Sequence, residues 1–205
     1  MSLLWPGRKH TLISRLALLL LRALGWTPVL SAPPPKFVGA IAPHTSNADF
    51  WPGLLYALGT RLPYHFVAKH QLFTFPLGIF MRAVGGLPVN RRRAGGNFVD
   101  AVVAIIEREK ELVLVVAPEG TRARAEYWKT GFYYMALEAR VPIGVVVLDW
   151  GHKRVGMIGY IQPSGDLEAD FALMREMFAD VRGHTPANET PVRPRPPEAG
   201  GPSKD

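Results

Sequence analysis

Short apolar runs alternate with amphipathic stretches along most of the chain. Runs rich in valine, isoleucine and phenylalanine predict buried strands at residues 37–42, 65–69, 87–90, 112–117, 143–148 and 155–161. Between them, apolar positions at helical spacing predict helices at residues 49–58, 71–84, 97–110, 130–140 and 166–181. Strands that alternate with helices are typical of an α/β fold. We therefore expect a single α/β domain with a mixed, mostly parallel sheet that is flanked by helices.

The N-terminal residues 8–26 form a leucine-rich run that is bordered by cationic side chains. Its apolar centre, residues 16–21, is far shorter than the roughly 20 residues that span a bilayer, and Arg15 and Arg22 flank it. Leucines beside arginines, followed by Trp26, are typical of an amphipathic helix in the membrane interface, which is the interpretation we favour. A helix that covers the protein's own core is an alternative. A secretory signal is another, although Arg22 and Trp26 fit its cleavage region poorly.

Proline-rich stretches mark two boundaries in the chain. Pro33-Pro34-Pro35 predicts a stiff spacer, and six prolines in residues 185–205 predict disorder. We therefore expect a membrane-interface helix at residues 1–32, a folded α/β domain at residues 33–183 and a disordered tail at residues 184–205.

The composition narrows the classes of function. The chain has 205 residues and no cysteine, so disulfides and thiol catalysis are excluded. Residues 1–99 contain eleven Lys/Arg and one acid, a balance of +10, whereas residues 100–205 contain thirteen Lys/Arg and sixteen Asp/Glu, a balance of −3. A basic half favours an anionic partner such as phosphate groups, an anionic bilayer or nucleic acid. Because the arginines are not interleaved with aromatic residues, we expect no nucleic-acid partner.

The first candidate for chemistry lies where the first predicted strand ends, in Pro43-His44-Thr45-Ser46-Asn47-Ala48-Asp49. On a helix, side chains five positions apart point about 140° apart, and on a strand they lie on opposite faces. Only a turn therefore brings the imidazole of His44 to the carboxylate of Asp49. Imidazole exchanges protons near neutral pH, and a carboxylate fixes its tautomer. We expect His44 to be a general base that Asp49 orients.

Two further stretches suit an anion. Gly85-Gly86-Leu87-Pro88-Val89-Asn90-Arg91-Arg92-Arg93 ends in guanidinium groups that match phosphate oxygens, although a run of charges can also be a solvated surface. Pro118-Glu119-Gly120-Thr121-Arg122 follows an apolar strand, which puts it at the carboxyl edge of the sheet, where open α/β folds bind ligands. Lys129, shortly beyond, is a further candidate contact to a phosphate or to an acyl donor.

These stretches, followed by Val141-Pro142-Ile143 before a strand, resemble the four sequence blocks of the glycerophospholipid acyltransferase family, whose members include 1-acylglycerol-3-phosphate acyltransferases. The resemblance covers residues 37–148. It implies transfer of a fatty acyl group from a thioester, either acyl-CoA or acyl-carrier protein, to a hydroxyl of a lysophospholipid-type acceptor. It also implies roles for particular residues: His44 as base, Asp49 as its partner, Arg91 at the acceptor phosphate, and Glu119, Gly120, Thr121 and Arg122 in the second part of the acceptor site.

The resemblance implies a membrane-associated enzyme, peripheral or monotopic, on the cytoplasmic face. We expect no metal and no cofactor beyond the acyl-CoA or acyl-carrier-protein co-substrate. Without cysteine or a Gly-x-Ser-x-Gly turn, direct attack is favoured over an acyl-enzyme. The sequence departs from the family where Pro43 stands for a frequent Asn and Asn90 for an acid, which affects the identity of the acceptor. The alternative is a non-catalytic lipid-binding or membrane-scaffold protein of the same fold.

Overall fold

The computed structural model describes residues 3–83, 85–89 and 98–196, and seven strands of this part of the chain form one sheet. The strands are β1 (Thr27–Leu30), β2 (Lys36–Ala42), β3 (Tyr64–Lys69), β4 (Gly86–Val89), β5 (Leu112–Val116), β6 (Ile143–Asp149) and β7 (Arg154–Ile161). The α-helices are α1 (Leu12–Ala23), α2 (Phe50–Thr60), α3 (Leu77–Ala83), α4 (Phe98–Arg108), α5 (Gly131–Glu138) and α6 (Leu167–Met177).

The strands lie in the order β1-β7-β6-β2-β5-β3-β4. Neighbouring strands run parallel except β6 and β7, which are antiparallel, so β1 and β7 run against the other five. The predicted fold class, a mixed and mostly parallel sheet flanked by helices, is confirmed. The strand β2 lies between β6 and β5, and the carboxyl ends of these three parallel strands therefore meet at one edge of the sheet.

Helices cover both faces of the sheet, and the alternation of side chains along each strand explains why. Successive strand residues point to opposite faces. Phe37 of β2 accordingly packs with Leu21 of α1 and Tyr56 of α2 in one apolar cluster. Its neighbour Val38 belongs to a second cluster, on the other face, that contains residues of α4, α5 and α6, among them Phe171. The central strands β5 and β6 are apolar almost throughout, because both of their faces are covered by helices.

Two elements differ from the prediction. The strand β1 was not predicted, because its four residues include Pro28 and it pairs with β7 alone, at the edge of the sheet, where proline is tolerated. The predicted helix at residues 71–84 is interrupted: a 3₁₀ turn at His70–Phe73 precedes α3, and Pro76 stands just before its first residue. Proline lacks an N–H group and so is favoured at the start of a helix and not in its interior.

The C-terminal residues also differ, since residues 184–196 are ordered where the sequence predicted disorder. The backbone N–H of Ala125 donates to Thr190 Oγ1 at 3.0 Å, and Gly183 N–H donates to Glu189 Oε1 at 2.7 Å. Composition predicted disorder, whereas polar side chains within this segment supply hydrogen bonds that tie it to the domain. Residues 197–205 lie outside the described residues.

The helix α1 is present where the sequence predicted a helix, and it is apolar on two sides. Thr11 and Ser14 form a reciprocal cap at its start, with distances of 3.1 and 2.9 Å. Its inner side, which includes the buried Ala17 and Leu21, packs against α2 and the core. Its outer side, which we call the leucine face, exposes Leu12, Ile13, Leu16, Leu19, Leu20 and Leu24. In the described part of the chain, no helix is both long enough and apolar enough to cross a membrane.

The close approach of β1 and α2 to β7 depends on Gly156, which has φ +131°. A β-carbon there would collide with the carbonyl oxygen of Val29 and lie 2.6 Å from the ring of Tyr56. We expect Gly156→Ala to lower the free energy of unfolding by about 3 kcal/mol or more, through backbone strain and overpacking. Urea denaturation measures this change. The control Gly53→Ala, in α2, meets open space and should be neutral or slightly stabilising, so equal losses in both variants would contradict the packing described.

Candidate active site

Three neighbouring strand ends build the candidate site. His44 follows β2, Glu119 follows β5 and Trp150 follows β6. Because these strands are parallel and adjacent, their carboxyl ends bring residues that are far apart in sequence to one place. The site therefore lies at the edge where the sequence analysis expected it.

The predicted pair of His44 and Asp49 is in contact. A 3₁₀ turn at Asn47–Asp49, capped by Ser46, reverses the chain after β2 and leads into α2. His44 Nδ1 lies 3.1 Å from Asp49 Oδ2. The contact is short but not aligned as a full hydrogen bond, and Nδ1 is buried without another partner among the described residues.

The carboxylate of Asp49 is buried and held by donors on both oxygens. Oδ2 accepts from the backbone N–H groups of Thr45 and Ser46, both at 2.9 Å, and Oδ1 accepts from Trp150 Nε1 at 2.7 Å. Burial alone would raise the pKa of Asp49, but these hydrogen bonds and the contact with His44 outweigh it and hold the pKa below its ordinary value. Asp49 also precedes the first turn of α2, where the helix dipole favours negative charge.

The orientation of His44 follows from these contacts. About a quarter of its side chain is exposed although Nδ1 is buried, so the exposed part lies elsewhere on the ring. With a proton on Nδ1 facing Asp49, Nε2 carries the lone pair and is free to accept a proton. The arrangement is chemically suited to general-base catalysis.

The structure gives Glu119 a partner inside the protein. Its side chain is buried, and Oε2 accepts from the backbone N–H of His44 at 2.8 Å, while Oε1 is buried without a partner among the described residues. Burial raises the pKa of Glu119 to about 7, with smaller contributions from the negative charges of Asp49 and Glu189. Glu119 thus links the end of β5 to the backbone of the loop after β2, residues 43–49, which contains the candidate base and is called the catalytic loop below.

The other residues predicted after β5 lie on the surface beside Glu119. Gly120, with φ +66°, is exposed, as are Thr121 and Arg122. Lys129 is also exposed, and its aliphatic part lies against Gly120, where a β-carbon would meet Cε at 3.0 Å. The structure therefore brings Lys129 to the Gly120 turn. Arg91, the predicted contact to the acceptor phosphate, lies outside the described residues.

Two contacts of residues 43–49 were not predicted from the sequence. One is Trp150, 101 positions from Asp49. The other is the contact of Thr45 Oγ1, which accepts from Thr185 N–H at 3.0 Å, in the segment for which disorder was predicted. The position of Trp150 directly after an apolar strand was the available signal. Nothing in the sequence indicated the contact of Thr185.

A cavity of about 310 Å³ lies beside Glu119, between Pro43 and residues 186–192. Its wall includes Trp128, whose Nε1 is buried and has no partner among the described residues. Across the described ranges, no group of three or more His, Asp or Glu side chains is placed to hold a metal ion.

The raised pKa of Glu119 predicts that the free energy of unfolding depends on pH. Because the folded protein holds this proton up to about pH 7 while the unfolded carboxyl ionises at its ordinary value of 4.5, stability should fall as the pH rises through this window. Between pH 5 and pH 8 the contribution should be about 2 to 3 kcal/mol, and it should vanish in Glu119→Gln. Urea denaturation at both pH values measures it. Exposed Glu138→Gln should retain the wild-type pH dependence, and an unchanged dependence in Glu119→Gln would contradict the assignment.

Comparisons with known proteins concern the sequence and the fold. Residues 38–149 match the model of the Acyltransferase family. The fold is similar to the crystal structure of the 1-acyl-sn-glycerophosphate (LPA) acyltransferase PlsC from Thermotoga maritima, with a TM-score of 0.55 and 19% sequence identity over 80% of this chain and 74% of that chain. No curated protein matches the sequence. Because the family match covers more than half of the 205 residues and contains His44, Asp49 and Glu119, the predicted resemblance is confirmed, and the protein belongs to the acyltransferase family.

Proposed function

We propose that the protein is a membrane-associated O-acyltransferase that moves a fatty acyl group from an acyl thioester to a hydroxyl of a lysophospholipid-type acceptor similar to lysophosphatidic acid. The observation that carries the proposal is the contact between His44 Nδ1 and the buried carboxylate of Asp49 at the carboxyl edge of the sheet. The similar fold of PlsC, which is named as a 1-acyl-sn-glycerophosphate acyltransferase, supports the class of acceptor.

In the proposed mechanism, His44 Nε2 removes the proton of the acceptor hydroxyl while the oxygen attacks the thioester carbonyl carbon. The carboxylate of Asp49 stabilises the imidazolium that forms. As the carbon–sulfur bond breaks, the imidazolium gives its proton to the leaving thiolate. One ester and one thiol result, with no net uptake or release of protons.

The loop after β5 supports binding of the acceptor's phosphate. Glu119 holds the His44 backbone, so the exposed turn that follows it, with Arg122 and the neighbouring Lys129, begins next to the catalytic loop. We expect these two cations and Arg91 to contact the phosphate, with Glu119 acting through its hydrogen bond to His44. The donor is acyl-CoA or acyl-carrier protein.

Membrane association is supported by an apolar surface whose exposure to water is energetically unfavourable. The leucine face leaves six large apolar side chains exposed, Leu12 by 73% and Leu19 by 68%. Arg15 and Arg22 on the same helix are exposed and suited to anionic lipid head groups. A helix that only covered the core would explain the buried side of α1 but not this face. We propose that α1 lies in the membrane interface, on the cytoplasmic side.

A second group of exposed apolar side chains lies on α2 and around α3, directly after the loop that carries His44 and Asp49. The ring centres of Phe50 and Trp51 lie 5.5 Å apart, and those of Phe50 and Phe80 of α3 lie 6.4 Å apart. Trp51 and Phe75 are exposed by 62% and 85%. Since Phe50 directly follows Asp49, an apolar surface reaches the active site and supports delivery of acyl chains from the bilayer.

Replacement of the base tests the catalytic proposal. His44→Ala should lower kcat/KM for acyl transfer by about 10² to 10⁴, because proton removal from the hydroxyl is lost. The measurement is thiol release from an acyl thioester in the presence of a panel of lysophospholipids. His10→Ala, an exposed histidine before α1, is the control and should keep wild-type turnover. Undiminished acceptor-dependent turnover in His44→Ala would exclude His44 as the base.

The introduction of negative charge on the leucine face tests membrane association. The double variant Leu16→Glu/Leu19→Glu should bind vesicles of anionic phospholipid at least about tenfold more weakly, because each leucine that is inserted into the bilayer contributes roughly 1.5 to 3 kcal/mol. Sedimentation with vesicles measures binding. Leu173→Glu, at a half-exposed leucine on α6, is the matched control and should bind as the wild type does. Equal binding by the double variant would refute an interfacial α1.

A further inference from the structure

The carboxylate of Asp49 receives its shortest hydrogen bond from a residue outside the four sequence blocks. Trp150 Nε1 donates to Asp49 Oδ1 at 2.7 Å, compared with 2.9 Å for the two backbone donors. We infer that Trp150 is a positioning residue for the reaction, which orients His44 through Asp49. The inference rests on the proposed function of the His44–Asp49 pair.

The geometry of the carboxylate shows what the indole contributes. Oδ2 faces His44 and also accepts from the backbone of Thr45 and Ser46, so the turn that carries Asp49 holds this oxygen. Among the described residues, Oδ1 accepts from Trp150 alone. With one oxygen held by the turn and the other by the indole, the plane of the carboxylate is fixed and Oδ2 is directed at Nδ1. Without the indole, rotation about the Cβ–Cγ bond would be restrained on one side only.

The chemistry of the donor suits this task. The indole N–H is neutral and only donates, so it stabilises the ionised carboxylate without adding a cation that would compete with the imidazolium. It also satisfies a lone pair of a buried charge, which would otherwise be costly.

Trp150 is itself held rigidly, as a positioning residue must be. Its backbone N–H donates to Arg182 O at 2.8 Å. Its ring packs edge-on against the rings of Trp26 and His184, with ring centres 4.9 and 4.5 Å apart. Lys153 Nζ lies 4.3 Å from the centre of the indole ring. The indole is therefore packed on several sides and has little freedom to turn away from Asp49.

The preceding residue anchors the same loop to the end of the sheet. Asp149 is fully buried, and its Oδ2 accepts from Arg154 Nε and Nη2 at 2.9 and 2.7 Å. The backbone N–H of His152 donates to its Oδ1 at 3.2 Å. Burial would raise the pKa of Asp149, but these hydrogen bonds hold it below the ordinary value. The turn from β6 to β7 is thus fixed by an ionised group, and Trp150 with it.

The variant Trp150→Phe removes the N–H group and keeps an aromatic ring. We expect kcat to fall on the order of 10- to 100-fold, as for loss of one hydrogen bond to a charged group, while KM for the lysophospholipid changes less than about twofold. The same substitution in an Asp49→Asn background should cost less than about threefold, since the indole acts through the carboxylate. Additive losses in the two backgrounds would overturn the inference.

The matched control is Trp26→Phe. Trp26 packs against the ring of Trp150, whereas the indole hydrogen bond to Asp49 comes from Trp150. It should keep kcat within about threefold, and a loss equal to that of Trp150→Phe would assign the effect to packing.

An arm without turnover separates this inference from the proposed function. In protein with ¹⁵N-labelled tryptophan, the indole N–H resonance that disappears in Trp150→Phe should be the one that moves most in Asp49→Asn. An unmoved Trp150 resonance would overturn the inference. Wild-type protein that transfers no acyl group would refute the proposed function and leave the resonance as the test of the contact.

Discussion

The buried carboxylate of Asp49 is the constraint on which the rest of the active site depends. A charge taken out of water is stable only when its oxygens are hydrogen-bonded, and here the donors come from the turn after β2 and from the residue after β6. The two backbone donors belong to the turn itself, whereas the indole of Trp150 reaches Asp49 because β6 pairs with β2. The order of the sheet therefore completes the set of donors that keeps Asp49 ionised beside the imidazole of His44.

The surroundings of two neighbouring carboxyl groups shift their pKa values in opposite directions. Asp49 accepts hydrogen bonds on both oxygens and its pKa is lowered, whereas Glu119 accepts a single hydrogen bond from the His44 backbone, is otherwise buried, and has its pKa raised to about 7. The side chains of two acids with similar intrinsic chemistry thus serve different purposes because their surroundings differ. Asp49 supplies a negative charge opposite the imidazole. Glu119 holds the backbone of the loop with less charge near neutral pH.

Much of the fold could be predicted from hydrophobic periodicity, because the six predicted strands are apolar runs and β2 to β7 lie where they were expected. Two elements were not predicted correctly. Pro28 argued against a strand at β1, and Pro76 divides a predicted helix. Neither effect of proline could be judged without knowing where the chain lies in the sheet.

The site shows the same division between local and distant contacts. The five-residue spacing of His44 and Asp49 required a turn, and the turn is there. The hydrogen bond from Trp150 spans 101 positions, and that from Thr185 to Thr45 spans 140, so no local pattern encoded them. The composition of the C-terminal segment likewise predicted disorder. Side chains of this segment, such as Glu189 and Thr190, form hydrogen bonds that connect it to the domain.

We propose that the His44–Asp49 pair catalyses acylation of a lipid hydroxyl at a membrane surface. The most direct measurement is mass spectrometry of lipids formed when the wild-type protein is given thioester donors of several chain lengths and several lysophospholipids in vesicles. We expect a new phospholipid in which the acyl group replaces the hydrogen of the acceptor's hydroxyl, with release of one equivalent of thiol. Intact donor and acceptor in the presence of folded, vesicle-bound protein would contradict the proposed catalytic role.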